Sequence, residues 1–297
     1  MESTPTGAAV TAEGLGVQGP HGWAFRDVAV AADPGSLIAV AGPSGSGRTC
    51  LLLTLTGRMR PTEGRAEVAG LRVPRQMAAI RRISALAHVP GVTDLEPALT
   101  VGEHLRERAL LQRRFADSPR GLLRPRRERA AESRARIETA LGDAGLDLET
   151  LPKGPRTAVR DLERLEALRL SVALALVSRP RLLAVDDIDL KLSDAEREQA
   201  WALLRGLTEA GRTVLAVCGQ APDGAVMVST APENENTENT GATENTGDTE
   251  NTGATENTGA TEDAGATEDD RAAKGAGQDE KDGKEGAADA LVETGRA

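Results

Sequence analysis

The sequence predicts an α/β fold with a mostly parallel sheet, followed by a disordered C-terminal tail. Short apolar runs rich in β-branched residues alternate with longer stretches of helical periodicity, as expected when helices connect parallel strands. Near residue 230 the composition changes, because Leu, Val, Ala and Arg give way to Thr, Glu, Asn, Gly and Asp. We therefore expect a flexible N-terminus over 1–13, a folded core over 14–230 and a disordered tail over 231–297.

Each predicted strand is a short apolar run bounded by turn residues, and each predicted helix is a longer stretch with one apolar face. In chain order we expect a strand at 36–42, a helix at 49–59, a strand at 83–90, helices at 102–115 and 161–178, a strand at 181–187, a helix at 194–210 and a strand at 213–219. Arginine is frequent between 113 and 136, which predicts an exposed pair of helices. Aromatic residues are too sparse in this segment to indicate nucleic-acid binding.

The tail is built on the hexapeptide TENTGA and its variants, which repeat between 237 and 260. A stacked β-helix would need an aliphatic residue in each repeat to fill its interior, and these repeats offer only Thr and Ala. The composition therefore predicts disorder, with the tail acting as an acidic spacer or an interaction segment. Residues 229–297 contain 18 acidic and 5 basic residues, a net charge of −13 against −10 for the whole chain, so the core is near +3.

Only two cysteines occur, Cys50 and Cys218, and no C-x-x-C pair is present. Neither a disulfide framework nor a zinc site is therefore expected, and both thiols are predicted to be small buried side chains. The N-terminal residues show no basic stretch followed by an apolar run, and the sequence has no apolar run of about 18 residues, so we expect neither a signal peptide nor a membrane-spanning helix. We expect a cytoplasmic protein that reaches a membrane only through a partner.

A glycine-rich loop carries the clearest chemical signal. Residues 42–49 read GPSGSGRT and match the phosphate-binding pattern G-x-x-x-x-G-K-[ST], except that Arg48 replaces the lysine. The loop follows a predicted strand and precedes a predicted helix, which favours phosphate binding over an ordinary glycine-rich turn. The hydroxyl of Thr49 would bind Mg²⁺. The candidate nucleotide-binding residues are Gly42, Pro43, Ser44, Gly45, Ser46, Gly47, Arg48, Thr49 and Cys50.

The segments around this loop extend the pattern over about residues 14–230. Residues 42–64, 88–105 and 162–187 resemble, in order and spacing, the Walker A loop with its helix, the Q-loop segment, and the signature helix with Walker B of ABC transporter nucleotide-binding subunits. The resemblance implies a P-loop NTPase fold with a small N-terminal antiparallel β part and a helical subdomain at about 92–178. It also implies ATP and Mg²⁺ as cofactors, with Thr49 and Asp186 as metal ligands, a homo- or heterodimer of cassettes, and a membrane permease subunit as partner.

Several positions depart from the residues that the family uses for catalysis. Gly91 stands at the Q-loop glutamine, Leu162 to Glu166 (LERLE) at the signature LSGGQ, Asp187 at the glutamate that orients water, Ser193 at the D-loop acid and Gly219 at the switch histidine. Loss of one preorganised contact commonly lowers a rate by about 10²–10³-fold. A carboxylate in the signature would also repel a phosphate at about 4 Å by a few kcal/mol. Asp187 is therefore the remaining candidate catalytic residue, and it is one methylene shorter than glutamate.

Two further expectations concern the residue that would stack on the adenine base and the positive charge of the glycine-rich loop. The aromatic residue that stacks on adenine in the family would fall near Gln18, which leaves His21 or Trp23 as stand-ins. Arginine is longer than lysine and planar, so Arg48 can pair with phosphate oxygens but does not place its charge at the same point.

Three hypotheses follow. The first is an ATP-binding subunit of an ABC-type transport system that retains Mg-ATP binding and has weak or absent hydrolysis. The second is a non-catalytic regulator or scaffold for a membrane partner. The third, a P-loop kinase, is disfavoured by the spacing of Walker B and the signature helix.

Overall fold

The computed structural model describes residues 7–116, 125–189 and 191–231. The chain divides into two units, residues 1–238 and 239–297, and the second unit, like nearly all of the predicted acidic tail, lies outside the described residues. The first unit contains, in chain order, β1 (Val10–Gly19), β2 (Gly22–Ala32), β3 (Leu37–Ala41), α1 (Arg48–Leu55), β4 (Glu63–Val68), β5 (Leu71–Val73), α2 (Met77–Ile83), β6 (Ser84–Ala87), α3 (Val101–Ala116), α4 (Arg126–Asp143), α5 (Arg164–Leu176), β7 (Leu182–Val185), α6 (Asp194–Glu209), β8 (Thr213–Val217) and β9 (Val226–Ser229).

The predicted α/β architecture is confirmed. Five parallel strands form one sheet in the order β6-β7-β8-β3-β9, and four antiparallel strands form a second sheet in the order β2-β1-β4-β5. Because successive side chains of a strand point to opposite faces, Ile38 and Val40 of β3 pack into a core with α1 and the antiparallel sheet. Leu37 and Ala39 pack into the core formed with α3, α4, α5 and α6. Both faces of the parallel sheet are therefore covered, which explains its continuous apolar strands.

The predicted strands and helices are all present, most of them with shorter bounds, although α3 is one residue longer than predicted at each end. The predicted start of the core at residue 14, however, is too late. Strand β1 begins at Val10, and Ala8 is 0 % exposed. The hydroxyl of Thr213, at the start of β8, accepts hydrogen bonds from the N–H groups of Ala8 and Gly35 and donates one to the carbonyl oxygen of Ala8. The chain is thus anchored from Ala8 onward, whereas the sequence suggested flexibility up to residue 13.

The helices that cover the sheet were compared with membrane-spanning helices by their length and apolar composition. Within the described ranges, none of them combines the length and the apolar composition needed to cross a bilayer. The arginine-rich segment predicted as a pair of helices corresponds to the end of α3 and the first part of α4. Residues 117–124 between these helices lie outside the described residues.

Candidate functional site

The glycine-rich loop joins β3 to α1 at the carboxyl end of the parallel strands, where ligands bind in open α/β sheets. Gly47 is the N-cap of α1 and has a φ of 81°, a left-handed conformation that favours glycine. A Cβ atom on Gly47 would lie 2.1 Å from the carbonyl oxygen of Ala24, so β2 closes against the loop at this point. The hydroxyl oxygens of Ser46 and Thr230 lie 2.6 Å apart and share a hydrogen bond that fixes the other side of the loop.

Thr49 and Asp186 meet directly. The Thr49 hydroxyl donates a hydrogen bond of 2.6 Å to Oδ2 of Asp186, and Asp186 Oδ1 accepts one of 3.1 Å from the N–H of Asp187. Asp186 is 1 % exposed. Burial raises the pKa of its carboxyl above the usual value, although the bond from Thr49 acts in the opposite direction. Two hard oxygen donors thus face each other at the position predicted for a cation.

The side chain of Arg48 reaches from the loop to the ends of β7 and β8. Its Nη1 donates a hydrogen bond of 3.0 Å to the carbonyl oxygen of Cys218, and its Nη2 lies 3.5 Å from Oδ1 of Asp187. Asp187 has a φ of 43°, which is unusual for a residue other than glycine. The guanidinium therefore bridges the loop to the residue that stands at the position of the catalytic acid.

The two cysteines lie beside these groups and are free thiols. Burial, together with the charge of Asp186, raises the pKa of the Cys50 thiol. Burial, with a contribution from Asp189, raises the pKa of the Cys218 thiol to about 11, although Arg48 acts in the opposite direction. Neither thiol is therefore activated as a nucleophile.

An open cavity of about 290 Å³ adjoins the loop. It is lined by Trp23, Ala24, Phe25, Arg26, Gly45, Ser46 and Thr230. The guanidinium of Arg26 lies 4.8 Å from the centroid of the Trp23 ring, and Trp23 is 38 % exposed. Of the two predicted aromatic stand-ins, Trp23 borders the loop, whereas His21 is not among the residues that line this cavity.

The positions that depart from the family pattern are held by local contacts. The N–H of Gly91 donates to Oδ2 of Asp94, and the N–H of Gly219 donates to Oδ2 of Asp189. Glu163 is the N-cap of α5 and forms a capping box with Glu166. These contacts stabilise the loops and the helix start but place no side chain at the positions of Gly91 and Gly219.

Ser193 similarly caps α6. Its hydroxyl accepts a hydrogen bond from the N–H of Glu196 and donates one to the Glu196 carboxylate. The hydroxyl of Ser193 and its N–H both donate to the Glu196 carboxylate, and these two bonds lower the pKa of Glu196. The side chain at the D-loop position is thus engaged within its own helix.

His88 was not identified from the sequence as a site residue. It follows β6, and because Ala87 pairs with Val185 of β7, His88 lies at the same sheet edge as Asp186. Its φ is 48°, and its N–H donates a 2.8 Å hydrogen bond to the Ser171 hydroxyl. Desolvation lowers the pKa of His88, against the influence of Asp186 and Asp187. Its place near the carboxyl end of the strand predicted at 83–90 was the signal that could have found it.

Comparisons with known proteins agree with this geometry. The profile of the ABC transporter family matches residues 25–189. The chain is 31 % identical over 196 residues to the cobalt import ATP-binding protein CbiO of Rhodobacter capsulatus, covering 65 % of this chain and 62 % of that protein. It is 29 % identical over 205 residues to the energy-coupling factor transporter ATP-binding protein EcfA2 of Symbiobacterium thermophilum, covering 69 % of this chain and 66 % of that protein. Of three other curated relatives that it matches, the chain spans 40 %, 51 % and 35 % of the length.

Solved structures agree at the level of the fold. CbiO1 from Clostridium perfringens, part of the ABC transporter complex CbiONQ, superposes with a TM-score of 0.57 at 17 % identity, over 71 % of this chain and 78 % of that chain. A dimeric ATP-binding cassette bound to ADP and Pi in a post-hydrolysis state superposes with a TM-score of 0.53 at 22 % identity, over 71 % and 88 % of the two chains. The chain therefore belongs to the ABC transporter family, and its folded core is an ATP-binding cassette.

Proposed function

We propose that this chain is the ATP-binding subunit of an ABC-type transport system, and that it binds Mg-ATP with weak or absent hydrolysis. One observation carries the nucleotide-binding part of the proposal. The glycine-rich loop, the Thr49–Asp186 pair and the Trp23 cavity lie together at the carboxyl edge of the parallel sheet. A phosphate chain, a cation and a base each have a matching surface there.

The loop supplies the phosphate contacts. Its backbone N–H groups and the N-terminus of α1 favour an anion, and the residues that would hold the nucleotide are those of the predicted set, 42–50. Trp23 offers a ring face for the base, and Arg26 is placed to contact the same ring or the base. A nucleotide base on Trp23 would change the environment of one of the two tryptophans in the chain.

The donor set at the head of the loop fits Mg²⁺. Thr49 and Asp186 would hold the cation, and Mg²⁺ usually binds through one or two protein oxygens together with phosphate oxygens and water. Among the described residues, no group of three or more His, Cys, Asp or Glu side chains could hold a metal ion, which suits such a shared site better than a protein-only cage. The cation would neutralise charge on the phosphates.

The proposal of weak hydrolysis rests on the side chains that surround the phosphate-binding loop. Arg48 shares its charge between Asp187 and the carbonyl oxygen of Cys218. Asp187 is the remaining candidate for orienting the attacking water, and its Oδ1 already lies 3.5 Å from Nη2 of Arg48. Gly91 and Gly219 offer no side chain to position that water, so several contacts of about 10²–10³-fold each are missing.

A surface near the Q-loop position supports the proposal of a membrane partner. A groove of about 530 Å³ lies between this loop and helices α3 and α5. Val92, Leu110 and Leu111 are 52 %, 57 % and 40 % exposed, and Val92 and Leu111 line the groove. Exposed apolar side chains around a groove are typical of a protein interface. We propose that a permease subunit docks there and holds the cassette at the inner face of the membrane.

The decisive test measures ATP affinity and turnover on the purified chain, with and without Mg²⁺. Quenching of Trp23 fluorescence reports binding. We expect Mg²⁺-dependent binding that is weakened at least tenfold by Thr49→Ala, and unchanged by Thr139→Ala on the exposed face of α4. A turnover of about 1 s⁻¹ that is lost in Thr49→Ala would refute weak hydrolysis.

A regulator or scaffold without nucleotide binding is the second candidate. The contacts of Arg48 favour this candidate, because its positive charge is already paired with Asp187 and the carbonyl oxygen of Cys218. No detectable binding of ATP up to millimolar concentration would favour this second function and refute Mg-ATP binding.

A further inference from the structure

A second cavity lies at the opposite end of the parallel sheet from the glycine-rich loop. Its volume is about 550 Å³, which is typical of small-molecule sites. Its lining comes from the last turns of α4 and α5, the residues that enter β7, and the turn between α6 and β8. These are the amino ends of β7 and β8, whereas the loop follows the carboxyl end of β3, which runs parallel to them. The cavity is therefore distinct from the candidate nucleotide site.

Four arginines and one carboxylate line this cavity: Arg136, Arg179, Arg181 and Arg212, with Asp143. Nη2 of Arg212 donates a 2.7 Å hydrogen bond to Oδ2 of Asp143. Both side chains of this pair are largely buried, at 20 % and 30 % exposed. The lining thus carries more positive than negative charge, and its single carboxylate is already paired.

The other three arginines differ in their contacts. Arg136 is 25 % exposed and pairs through Nη2 with Glu132 on the same helix, while its buried Nε has no acceptor among the described residues. Arg181 donates hydrogen bonds of 3.2 and 2.8 Å to the carbonyl oxygen of Gly7. The side chain of Arg179 makes no hydrogen bond or ion pair with the residues that the structure describes. Arg179 therefore contributes a positive charge that no described residue offsets.

The arginine side chains are not used to close the three helix ends that meet at this cavity. Backbone N–H groups from the following turns already donate to the carbonyl oxygens of Leu141 in α4, Leu176 in α5 and Leu207 in α6. A helix end also favours a nearby cation through its partial negative charge, but this effect uses no hydrogen-bond donor. The guanidinium N–H groups thus stay available for other acceptors.

Much of the remaining lining is apolar. Ala140 and Leu176 are 2 % and 3 % exposed, and Pro180 is also buried. A ligand that fills the cavity would place an apolar body against these side chains and an anionic group against the arginines. A phosphate monoester suits the arginines better than a carboxylate does. It carries up to two negative charges and three acceptor oxygens, so it can pair with more than one guanidinium.

We propose that this cavity binds a small phosphate monoester with an apolar body, and that Arg179 and Arg212 hold its phosphate group. Arg212 keeps its bond to Asp143 and donates to the phosphate from another nitrogen, since a guanidinium presents five N–H groups in a fixed plane. The inference does not depend on the proposed function, because a chain that binds no ATP would still contain this site.

The test is calorimetric titration of the full-length chain with phenyl phosphate, benzoate and inorganic phosphate, in the absence of nucleotide and Mg²⁺. Phenyl phosphate has both features of the proposed ligand, whereas benzoate lacks the second negative charge and inorganic phosphate lacks the apolar body. We expect phenyl phosphate to bind at least tenfold more tightly than either of the other two probes. Equal affinities for phenyl phosphate and benzoate, or no binding of phenyl phosphate at millimolar concentration, would overturn the proposal.

Variants of the lining arginines separate recognition from folding. Arg179→Gln should weaken the binding of phenyl phosphate at least tenfold and leave the thermal midpoint of unfolding unchanged, because it breaks no contact with a described residue. Arg212→Gln should weaken binding similarly, and it should also lower the midpoint because Asp143 loses its partner. Arg205→Gln, on the exposed side of α6, is the matched control and should change neither quantity. Unchanged affinity in both Arg179→Gln and Arg212→Gln would show that these arginines serve the fold alone.

Two further measurements exclude other places and sources for the phosphate. Arg48→Gln in the glycine-rich loop should retain phenyl phosphate binding. Binding that is lost in this variant and kept in Arg179→Gln would place the ester at the nucleotide site and overturn the proposal. Vesicles of phosphatidylcholine with phosphatidic acid offer the same phosphate group on a lipid, and the chain should not sediment with them. Sedimentation that Arg179→Gln abolishes, without any binding of phenyl phosphate, would assign the arginines to a lipid headgroup instead of a free ligand.

Discussion

Arg48 and Asp187 change length in opposite directions relative to the residues that the family carries at these positions. Arginine extends further than lysine, and aspartate is one methylene shorter than glutamate, so the pair still spans the distance between loop and strand with 3.5 Å between Nη2 and Oδ1. The guanidinium can donate to the Cys218 carbonyl at the same time because it presents several N–H groups in a rigid plane. A nucleotide must compete with both acceptors for this charge.

Replacing Asp187 by Asn should therefore tighten ATP binding. The ion pair is partly exposed, at 16 % and 30 % for the two side chains, and such pairs contribute about 1 kcal/mol or less, which corresponds to at most about fivefold in affinity. Removing the carboxylate also removes a negative charge near the phosphates. Titration of Trp23 fluorescence with Mg-ATP measures the change. Asp161→Asn, which alters an exposed ion pair elsewhere, is the control, and an unchanged affinity in Asp187→Asn would contradict the prediction.

At the scale of elements, the hydroxyl of Thr213 helps to hold the residues that lead into the first strand. Thr213 is completely buried, and its hydroxyl uses one donor and two acceptor positions for Ala8 and Gly35. These bonds hold the entry to β1 against the parallel sheet. The N-terminal segment is thus fixed by a residue 205 positions away along the chain.

Thr213→Val keeps the shape of this side chain and removes the hydroxyl. The N–H groups of Ala8 and Gly35 would then be buried without an acceptor, and the free energy of unfolding should fall by about 2–4 kcal/mol. Urea denaturation measures this loss. Thr11→Val, on the exposed face of β1, should stay within about 0.5 kcal/mol of the unchanged chain. Equal midpoints for the two variants would show that water or another group replaces the hydroxyl.

Elements with a strong local pattern could be predicted from the sequence, whereas elements held by distant contacts could not. The central strands and the long helices have continuous apolar or 3.6-residue patterns, so they were predicted with errors only at their ends. Strand β9 has four residues with alternating exposure, and β4 is largely polar, so neither differs enough from a loop. Their positions depend on pairing with β3 and β1, which is a property of the folded chain.

The candidate site likewise contains residues that motif spacing predicts and contacts that no local pattern predicts. Spacing along the chain was sufficient to predict the loop, Thr49 and Asp186, because the motif joins a strand to a helix at a fixed distance. The contact between Ser46 and Thr230 joins residues 184 positions apart, and the Arg48–Asp187 pair depends on how two side chains bend toward each other. No local pattern encodes either of them, so the sequence could not indicate that the charge of the loop is already engaged.

At the scale of the whole molecule, the resemblance to ABC cassettes implies sites that are completed by a second cassette. The signature of one subunit would face the nucleotide of the other, and here that signature begins α5 with Glu163 as its N-cap. In a symmetric dimer both composite sites would contain this carboxylate. Since the phosphates of ATP are negative, the charge at the start of α5 would oppose the association of two such chains around ATP.

We therefore predict that Mg-ATP does not dimerise the chain alone, and that Glu163→Ser promotes dimerisation at least tenfold. Serine is an equally good N-cap, so the variant removes the charge while α5 and the fold are retained. Removing about 1–2 kcal/mol of repulsion at each of the two composite sites exceeds the roughly 1.4 kcal/mol that a tenfold change in the dissociation constant requires. Sedimentation velocity with and without Mg-ATP measures it, and Glu149→Ser, which removes an exposed charge from a loop, is the matched control. Equal dimerisation of the unchanged chain and Glu163→Ser would mean that Glu163 does not face the bound phosphates.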